Sequence, residues 1–278
     1  MDVCVKNTSQ WGRVLWLSND VLEIGVALDF GIRVVHLSCV DCENLFYVQP
    51  EDLSDGFCSD EGWRLYGGHR IWMAPESEDS CYPDNAPVSW EETENGILFT
   101  QQPDLALGIR KSMLISFLAD GGVRLTQSVE NISSMPIDGA AWGVNTLDAG
   151  GRAEVSFTNN DKRGFTPHRV VSLWSDTNLH DPRITFEKHR LLAQHMPLTD
   201  YFKIGLYCLE GKAVFENKGQ RFTLMFDSQP LKNYPDNGCN FEMYMCKQFM
   251  ELESLGTMAH ILPGESTSHS ETWYLTKV

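Results

Sequence analysis

The chain has 278 residues, of which 42% are hydrophobic and 22% are charged, a composition typical of a globular protein with a large core. Its 38 acidic and 22 basic side chains give a formal net charge of −16 at pH 7. This excess repels phosphate backbones and anionic lipid surfaces, so we expect no nucleic-acid partner, no membrane partner, and a neutral ligand rather than a polyanion.

The N-terminal residues lack the basic stretch and apolar core of a secretory signal, and no apolar run approaches the roughly 20 residues that span a bilayer. We therefore expect a cytoplasmic protein whose eight cysteines are reduced thiols. Cys39 and Cys42 have the spacing of half a zinc site, but no second pair completes it, and Cys58 and Cys81 follow no ligand spacing. The sequence predicts neither a metal site nor an organic cofactor.

Polar and apolar residues that alternate between turn residues predict short β-strands along most of the chain. In chain order, the predicted strand pairs are Val21–Leu28 with Ile32–Leu37, Val88–Glu91 with Ile97–Thr100, Ile109–Phe117 with Val123–Glu130, and Ile204–Leu209 with Ala213–Phe215. The third pair has the clearest pattern, because Asp120, Gly121 and Gly122 supply the positive φ angles of a tight hairpin. The last predicted strands are Phe241–Met245, Met250–Leu255 and Thr272–Thr276.

Helical spacing is almost absent, and only Ile184–Ala193 is compatible with a short helix. A protein with this many strands must close a barrel or stack sheets to remove their edges, and the uneven loop lengths favour stacking. No Pro-rich or Ser-rich linker divides the sequence. We therefore expect residues 1–278 to form one all-β domain, an antiparallel β-sandwich.

Four stretches of the chain carry a likeness to a known group of proteins. They are Val21–Phe46, Tyr66–Glu76, Val129–Leu147 and Glu251–Tyr274, of which the last is the strongest match. Together they resemble the galactose mutarotase-like superfamily, with its aldose 1-epimerase-like members, and most closely a bacterial branch of it. The resemblance implies a β-supersandwich whose concave face binds a small-molecule carbohydrate. In the reaction it implies, a carboxylate takes the anomeric hydroxyl proton while an imidazole protonates the ring oxygen, which opens the ring and allows the other anomer to form.

His69 and Arg70 follow two glycines, which let the backbone approach a ligand closely, and Trp72 and Glu76 lie just beyond them. We interpret this stretch as a cluster that grips a sugar, with His69 as a candidate catalytic group, because polar clusters on loops commonly carry function. The alternative is an ordinary ion pair between Arg70 and Glu76, with His69 hydrogen-bonded in a turn.

Three glutamates are candidates for the catalytic base. Glu242 stands in an otherwise apolar strand, and its position upstream of Pro263 is similar to that of the epimerase carboxylate. Glu251 and Glu253 share one strand face, because residues two apart point the same way. We take Glu242 as the base, with Glu251 and Glu253 as sugar ligands or alternative bases; in each case the alternative is a solvent-exposed face.

The sequence departs from the epimerase pattern in one segment. Where those enzymes have a histidine, Ala141–Asn145 offers Trp142 and Asn145, which we expect to contact the sugar but which cannot protonate it at neutral pH. The acid would then be one of four remaining groups, namely His69, His168, His180 or Lys203. Burial would lower the pKa of Lys203, although a strand lysine more often extends to water.

Three functions remain open from the sequence. The first is an aldose 1-epimerase-like isomerase that needs no cofactor. The second is a non-catalytic carbohydrate-binding or sensing protein that keeps the cleft, which the missing histidine favours. The third, lyase or hydrolase chemistry on a polysaccharide, rests on fold-level likeness alone, and a lyase for uronates would need more cationic residues than this acidic chain has.

Overall fold

The structure is a computed structural model that describes residues 2–49, 64–77, 84–157, 169–230 and 233–278. In chain order its strands are β1 (Asp2–Thr8), β2 (Gly12–Ser18), β3 (Leu22–Ala27), β4 (Arg33–Cys39), β5 (Gly68–Ala74), β6 (Ser89–Thr93), β7 (Gly96–Thr100), β8 (Ile109–Phe117), β9 (Val123–Asn131), β10 (Ile137–Asp148), β11 (Arg152–Ser156), β12 (Val171–Leu173), β13 (Ile184–Phe186), β14 (Arg190–Gln194), β15 (Phe202–Leu206), β16 (Lys212–Asn217), β17 (Gln220–Phe226), β18 (Phe241–Met245), β19 (Phe249–Leu255), β20 (Ala259–Ile261) and β21 (Ser266–Lys277). One short helical turn, α1 (Pro235–Gly238), precedes β18.

The strands form two antiparallel sheets. The first runs β1-β2-β3-β4-β5-β10-β19-β18-β15-β12, with β20 paired to the start of β10. The second runs β13-β14-β11-β16-β17-β21-β9-β8-β7-β6. The prediction of an all-β antiparallel sandwich is confirmed, while the single domain over residues 1–278 stays a prediction.

The core lies between the sheets and is built from the inward residues of both. Trp273 of β21 is fully buried, and its ring meets Phe46 and Phe222 edge-on, with centroids 5.7 Å apart in each case. Buried aromatic side chains of this size dominate the energetics of a core, and edge-to-face contacts add to their area burial. The two sheets are therefore fixed face to face around Trp273.

The hairpins predicted from local sequence are present. β3 pairs with β4, β6 with β7, and β8 with β9, the last in register from Ile109 opposite Asn131 to Phe117 opposite Val123. Gly121 has φ of 88°, the left-handed conformation expected at that turn. Local turn chemistry therefore sets these pairings.

Two local predictions were wrong. Ile184–Ala193 forms the hairpin β13–β14 rather than a helix, because Leu191 and Ala193 are both buried and the two-residue spacing places them on one strand face. The pair around Gly211 is not a hairpin either. β15 lies in the first sheet and β16 in the second, so the turn at Gly211 carries the chain from one sheet to the other.

No helix among the described residues is long and apolar enough to cross a membrane. Within the same residues, no group of three or more His, Cys, Asp or Glu side chains is arranged to hold a metal ion. Cys39 and Cys42 lie in described segments, with Cys39 buried. Cys58 and Cys81 lie outside the described residues.

Candidate functional site

Five neighbouring strands of the first sheet, β5, β10, β19, β18 and β15, present most of the predicted site residues on their outer face. The register places Glu242 directly opposite Glu253, and Glu253 directly opposite Val144. Val144 in turn faces Arg70. Residues two positions away on each strand share this face, which adds Trp72, Trp142, Thr146, Glu251, Tyr244 and Lys203.

Glu242 and Glu253 form a buried carboxylate pair, each with 1% of its surface exposed. Directly opposed residues on neighbouring strands have Cβ atoms roughly 5 Å apart, so the carboxyl groups are close neighbours. Lys203 Nζ lies 3.0 Å from Glu242 Oε2 and 3.9 Å from Glu253 Oε2. The other oxygen of each carboxyl group, Oε1, is buried and has no hydrogen-bond partner in the described part of the chain.

Electrostatics around this pair favour the protonated form of both carboxyl groups. Burial raises the pKa of both Glu242 and Glu253, and a neighbouring glutamate raises each further while Lys203 opposes the rise. Burial by itself lowers the pKa of Lys203. The carboxylates of Glu253, Glu242 and Glu76 raise it by more, so the pKa of the ammonium group lies above its ordinary value. The lowered lysine pKa considered from the sequence is therefore wrong, because burial brings Lys203 among carboxylates. Both carboxyl groups therefore hold a proton more tightly than an ordinary glutamate does, beside a lysine that stays charged.

Aromatic rings surround this charged centre. Trp72 and Trp142 are stacked with ring centroids 5.4 Å apart and an interplanar angle of 18°. The guanidinium of Arg70 lies 3.7 Å from the Trp72 ring centroid, and Lys203 Nζ lies 5.0 Å from that of Trp142. Trp142 therefore contacts both Trp72 and Lys203.

Glu251 and Glu76 also belong to this cluster, Glu251 on its buried side and Glu76 on its exposed side. Glu251 is buried and accepts a hydrogen bond from Thr146 Oγ1 at 2.8 Å. Glu76 accepts one from Lys203 Nζ at 3.3 Å, and its side chain is 43% exposed. The site therefore reaches solvent beside Glu76 and Lys203, while its carboxylate pair is enclosed.

The structure separates His69 and Asn145 from this face. His69 precedes Arg70 on β5, and Asn145 lies between Val144 and Thr146 on β10, so both point to the interior between the sheets. His69 is fully buried, its Nδ1 lies 3.0 Å from Asn145 Oδ1, and burial lowers the pKa of the imidazole to about 3. Neither residue faces a ligand on the outer face, contrary to the prediction from the sequence, because neighbouring strand residues face opposite ways.

The remaining candidate acids also lie away from the pair or outside the described chain. His180 is exposed in the loop between β12 and β13. His168 lies outside the described residues. Among the described candidates, only Lys203 reaches the carboxylates.

Trp174, which sequence reasoning missed, also borders the site. It follows β12, and its ring centroid lies 4.8 Å from Lys203 Nζ. A Cβ atom on Gly205 would lie only 3.3 Å from Trp174 Cη2, so the glycine lets the ring approach the sheet. No local pattern around Trp174 identifies it, since its neighbour β12 is only three residues long.

A turn at Tyr234–Gly238 borders the site from another side. Asp236 and Asn237 have positive φ values of 49° and 66°, and Asp236 O accepts a hydrogen bond from Ser172 Oγ at 2.7 Å. The negative charge of Asp236 contributes to the raised pKa of Glu242. Asp and Asn tolerate the left-handed conformation, so turn chemistry accounts for this backbone.

A groove of about 820 Å³ lies elsewhere, on the outer face of the second sheet across β11, β14 and β16. Ion pairs line it, including Arg190 with Glu154 at 3.0 Å and Arg152 with Glu216. None of the predicted site residues lines this groove. We therefore place the candidate site at the carboxylate pair, where buried groups have raised pKa values and unfilled acceptor atoms.

Comparisons with known proteins define the fold. Neither protein-family models nor curated proteins match the sequence. A galactose mutarotase-like protein from Lactobacillus casei has a TM-score of 0.63 at 13% identity, over 95% of this chain and 100% of its own. A candidate aldose 1-epimerase from Escherichia coli gives 0.62 at 12% identity, over 95% of this chain and 99% of its own. A galactose mutarotase-like protein from Clostridium acetobutylicum has a TM-score of 0.54 at 13% identity, over 100% of this chain and 99% of its own.

The chain therefore has the galactose mutarotase-like fold. The resemblance that the sequence indicated is confirmed at the level of fold.

Proposed function

We propose that this protein binds a small, uncharged sugar at Glu242, Glu253 and Lys203 and interconverts its anomers by acid/base ring opening. One observation carries the proposal: two directly opposed, buried glutamates lie beside a lysine ammonium. Mutarotation requires one group that accepts a proton and one that donates it, and this pair supplies both when one of its two carboxyl groups is ionised.

The unfilled hydrogen-bonding atoms suit a sugar. Glu242 Oε1 and Glu253 Oε1 are acceptors, and Trp142 Nε1 is a donor, all without a partner among the described residues. A pyranose offers hydroxyl donors and oxygen acceptors together with an apolar ring face, the kind of surface that aromatic side chains such as Trp142 and Trp174 contact. Several carboxylates in one site disfavour an anionic ligand.

The reaction can be written on the pair alone. The ionised carboxylate takes the proton of the anomeric hydroxyl while the protonated partner donates its proton to the ring oxygen, so that the bond from the anomeric carbon to the ring oxygen breaks. Rotation of the new aldehyde and the reverse transfers, with the two carboxyl groups in exchanged roles, give the other anomer and restore the pair. Lys203 stabilises whichever carboxylate is ionised and holds its position.

A second candidate is a non-catalytic sugar-binding protein. It is favoured by the position of Lys203, whose ammonium already satisfies one oxygen of Glu242, and by the absence of an imidazole on the outer face among the described candidates. In this alternative the carboxylates act only as hydrogen-bond acceptors.

Anomer exchange measured by NMR across a panel of aldoses tests the proposal. We expect wild-type protein to accelerate exchange of at least one sugar, and Glu242→Gln or Glu253→Gln to lower the rate by about 10²-fold or more, the range lost with one acid/base group. Glu154→Gln, an ion-paired glutamate on the second sheet, is the matched control and should leave the rate unchanged.

Calorimetry on the same panel separates the two candidates. Sugar binding without acceleration by wild-type protein would establish the non-catalytic function. Neither binding nor acceleration with any aldose would reject both.

A further inference from the structure

A buried polar network lies directly behind the candidate site, between the two sheets. We define the inner network as His69, Asn145 and Ser254 of the first sheet together with Glu271 of β21. All four residues are fully buried. Because a buried charge is costly unless it is fully hydrogen-bonded, a carboxylate at this depth requires a compensating set of donors.

Glu271 receives hydrogen bonds from both sheets. Ser254 Oγ donates to Oε1 at 2.6 Å, and Trp273 Nε1 donates to Oε2 at 2.8 Å. Asn145 Nδ2 lies 3.2 Å and 3.3 Å from the two oxygens, and His69 Nδ1 lies 3.7 Å from Oε2. Three donors therefore converge on one carboxylate, which suits its ionised form.

The imidazoles around Glu271 fit the same arrangement. His69 Nδ1 bonds Asn145 Oδ1 at 3.0 Å, and His269 Nε2 bonds Ser254 Oγ at 2.7 Å. Burial raises the pKa of Glu271, while hydrogen bonds from Ser254, Trp273 and Asn145 oppose the rise. Each hydrogen bond in the inner network thus also orients its neighbour.

Each member from the first sheet adjoins a residue of the candidate site in the chain. Ser254 follows Glu253, His69 precedes Arg70, and Asn145 precedes Thr146, the hydrogen-bond partner of Glu251. Because successive strand residues face opposite ways, the inner network contacts β5, β10 and β19 from behind while the site occupies their front.

The sequence also makes room for the carboxylate. Gly143 of β10 lies against Glu271, and a Cβ atom at that position would lie 2.4 Å from Glu271 Oε1. No side chain other than hydrogen fits there without displacing Glu271.

We propose that Glu271 is a positioning residue that fixes β5, β10 and β19 relative to one another and so sets the placement of Glu253 against Glu242. This inference rests on the proposed function for its catalytic consequence, but not for its structural one. Misplacement of a reacting group by about 1 Å can cost 10²-fold in rate, so support from behind the strands matters to the chemistry.

The test removes one hydrogen bond to Glu271 without changing any charge. Ser254→Ala deletes the donor to Oε1, and Trp273→Phe deletes the donor to Oε2 while keeping an aromatic ring. The matched control is Ser38→Ala, which deletes another fully buried serine hydroxyl bonded to an imidazole, Oγ to His36 Nε2 at 2.9 Å, on β4 away from the carboxylate pair.

Two readouts are measured on full-length protein. The first is the titration of the Glu242 and Glu253 carboxyl carbons in protein carrying ¹³C-labelled glutamate, with Glu242→Gln and Glu253→Gln for assignment. We expect Ser254→Ala to shift the apparent pKa of the pair by about half a unit or more, because the balance of its neighbouring charges depends on geometry. The second is anomer exchange, for which we expect kcat to fall about tenfold with KM nearly unchanged.

The outcomes distinguish this inference from the proposed function. A shifted titration without anomer exchange in wild-type protein would retain the positioning role and reject the epimerase. Titrations that stay at wild-type values in both folded variants, or that shift equally in Ser38→Ala, would overturn the positioning role. If either variant fails to fold, the other decides the result.

Discussion

At the scale of single residues, Lys203 determines how the carboxylate pair behaves. Its ammonium is 3.0 Å from Glu242, 3.3 Å from Glu76 and 3.9 Å from Glu253, and three carboxylates together outweigh the cost of its burial. Its charge lowers the pKa of Glu242 and Glu253, against the desolvation and mutual repulsion that raise it. Lys203 thus favours the ionised form that a base requires.

Lys203→Met tests this role. The variant keeps an unbranched side chain but removes the charge, so the pKa of Glu242 and Glu253 rises further and the ionised fraction at neutral pH falls. We expect the rate of anomer exchange at pH 7 to fall at least about tenfold, the consequence of a pKa rise of about one unit, and to recover partly as pH increases. Rate against pH, measured by NMR, checks this.

Lys212→Met, at an exposed lysine of β16, is the control for loss of a cation. If the rate of Lys203→Met kept the wild-type dependence on pH, the lysine would have no role in the reaction.

Most outer-face residues of the site could be predicted from the sequence, because charged residues in apolar strands stand out. Glu242, Glu253 and Lys203 were found in this way. His69 was misplaced because Tyr66–Trp72 was interpreted as a loop cluster, whereas residues from Gly68 onward form β5 and alternate between faces. Trp174 was missed because only tertiary folding brings it to Lys203.

At the scale of elements, the glycine pair before His69 has a different purpose from the one expected. Gly67 and Gly68 have φ of 85° and 74°, and Cβ atoms there would lie 2.0 Å from Tyr47 O and 2.1 Å from Val34 O. The close approach is thus of the protein's own backbone, not of a ligand. It lets β5 pack beside β4 and so sets the position of Arg70.

Gly68→Ala is expected to be strongly destabilising. A left-handed φ costs a non-glycine residue about 1–2 kcal/mol, and the contact with a main-chain oxygen cannot be relieved by a side-chain rotation. We therefore expect a loss of about 3 kcal/mol or more in the free energy of unfolding, measured by urea denaturation.

The control is Gly150→Ala. Gly150 has φ of 88°, but nothing lies within 4 Å of the added Cβ, so only the conformational cost of about 1–2 kcal/mol applies. Equal losses in the two variants would show that close packing of β4 and β5 is unimportant.

The same contrast between local and distant information explains which strand pairs were predicted correctly and which were not. The β8–β9 hairpin follows from turn residues and alternation within one stretch of sequence. The assignment of β15 and β16 to different sheets depends on partners far along the chain, β18 for one and β11 for the other. Local pattern alone cannot choose between them.

At the scale of the whole molecule, buried titratable groups of two kinds shape the dependence of stability on pH. Burial lowers the pKa of His69 to about 3 and of His269 to about 4, so their contribution to stability is lost as pH falls below the ordinary histidine value. Burial raises the pKa of Glu242 and Glu253, so their contribution is present at low pH and is lost as pH rises through the folded-state values.

Between pH 7 and pH 9 the histidines are neutral in both states and Lys203 is protonated in both. Burial raises the pKa of Cys208, Cys239 and Cys246 to about 11, but these thiols contribute equally to wild type and to a glutamate variant, so the difference between the two proteins reports the glutamate pair. Glu253→Gln removes one of its protons, and the variant should therefore become progressively more stable relative to wild type as pH rises, by up to about 1.4 kcal/mol per pH unit. Urea denaturation at pH 7, 8 and 9 measures this.

Glu216→Gln is the control. Hydrogen bonds from Arg152 and Arg221 lower the pKa of Glu216, so the difference in stability between this variant and wild type should stay constant over this range. If the difference in stability between Glu253→Gln and wild type also stayed constant, the pair would be fully ionised in the folded protein. The carboxyl groups would then have no proton to donate to the ring oxygen.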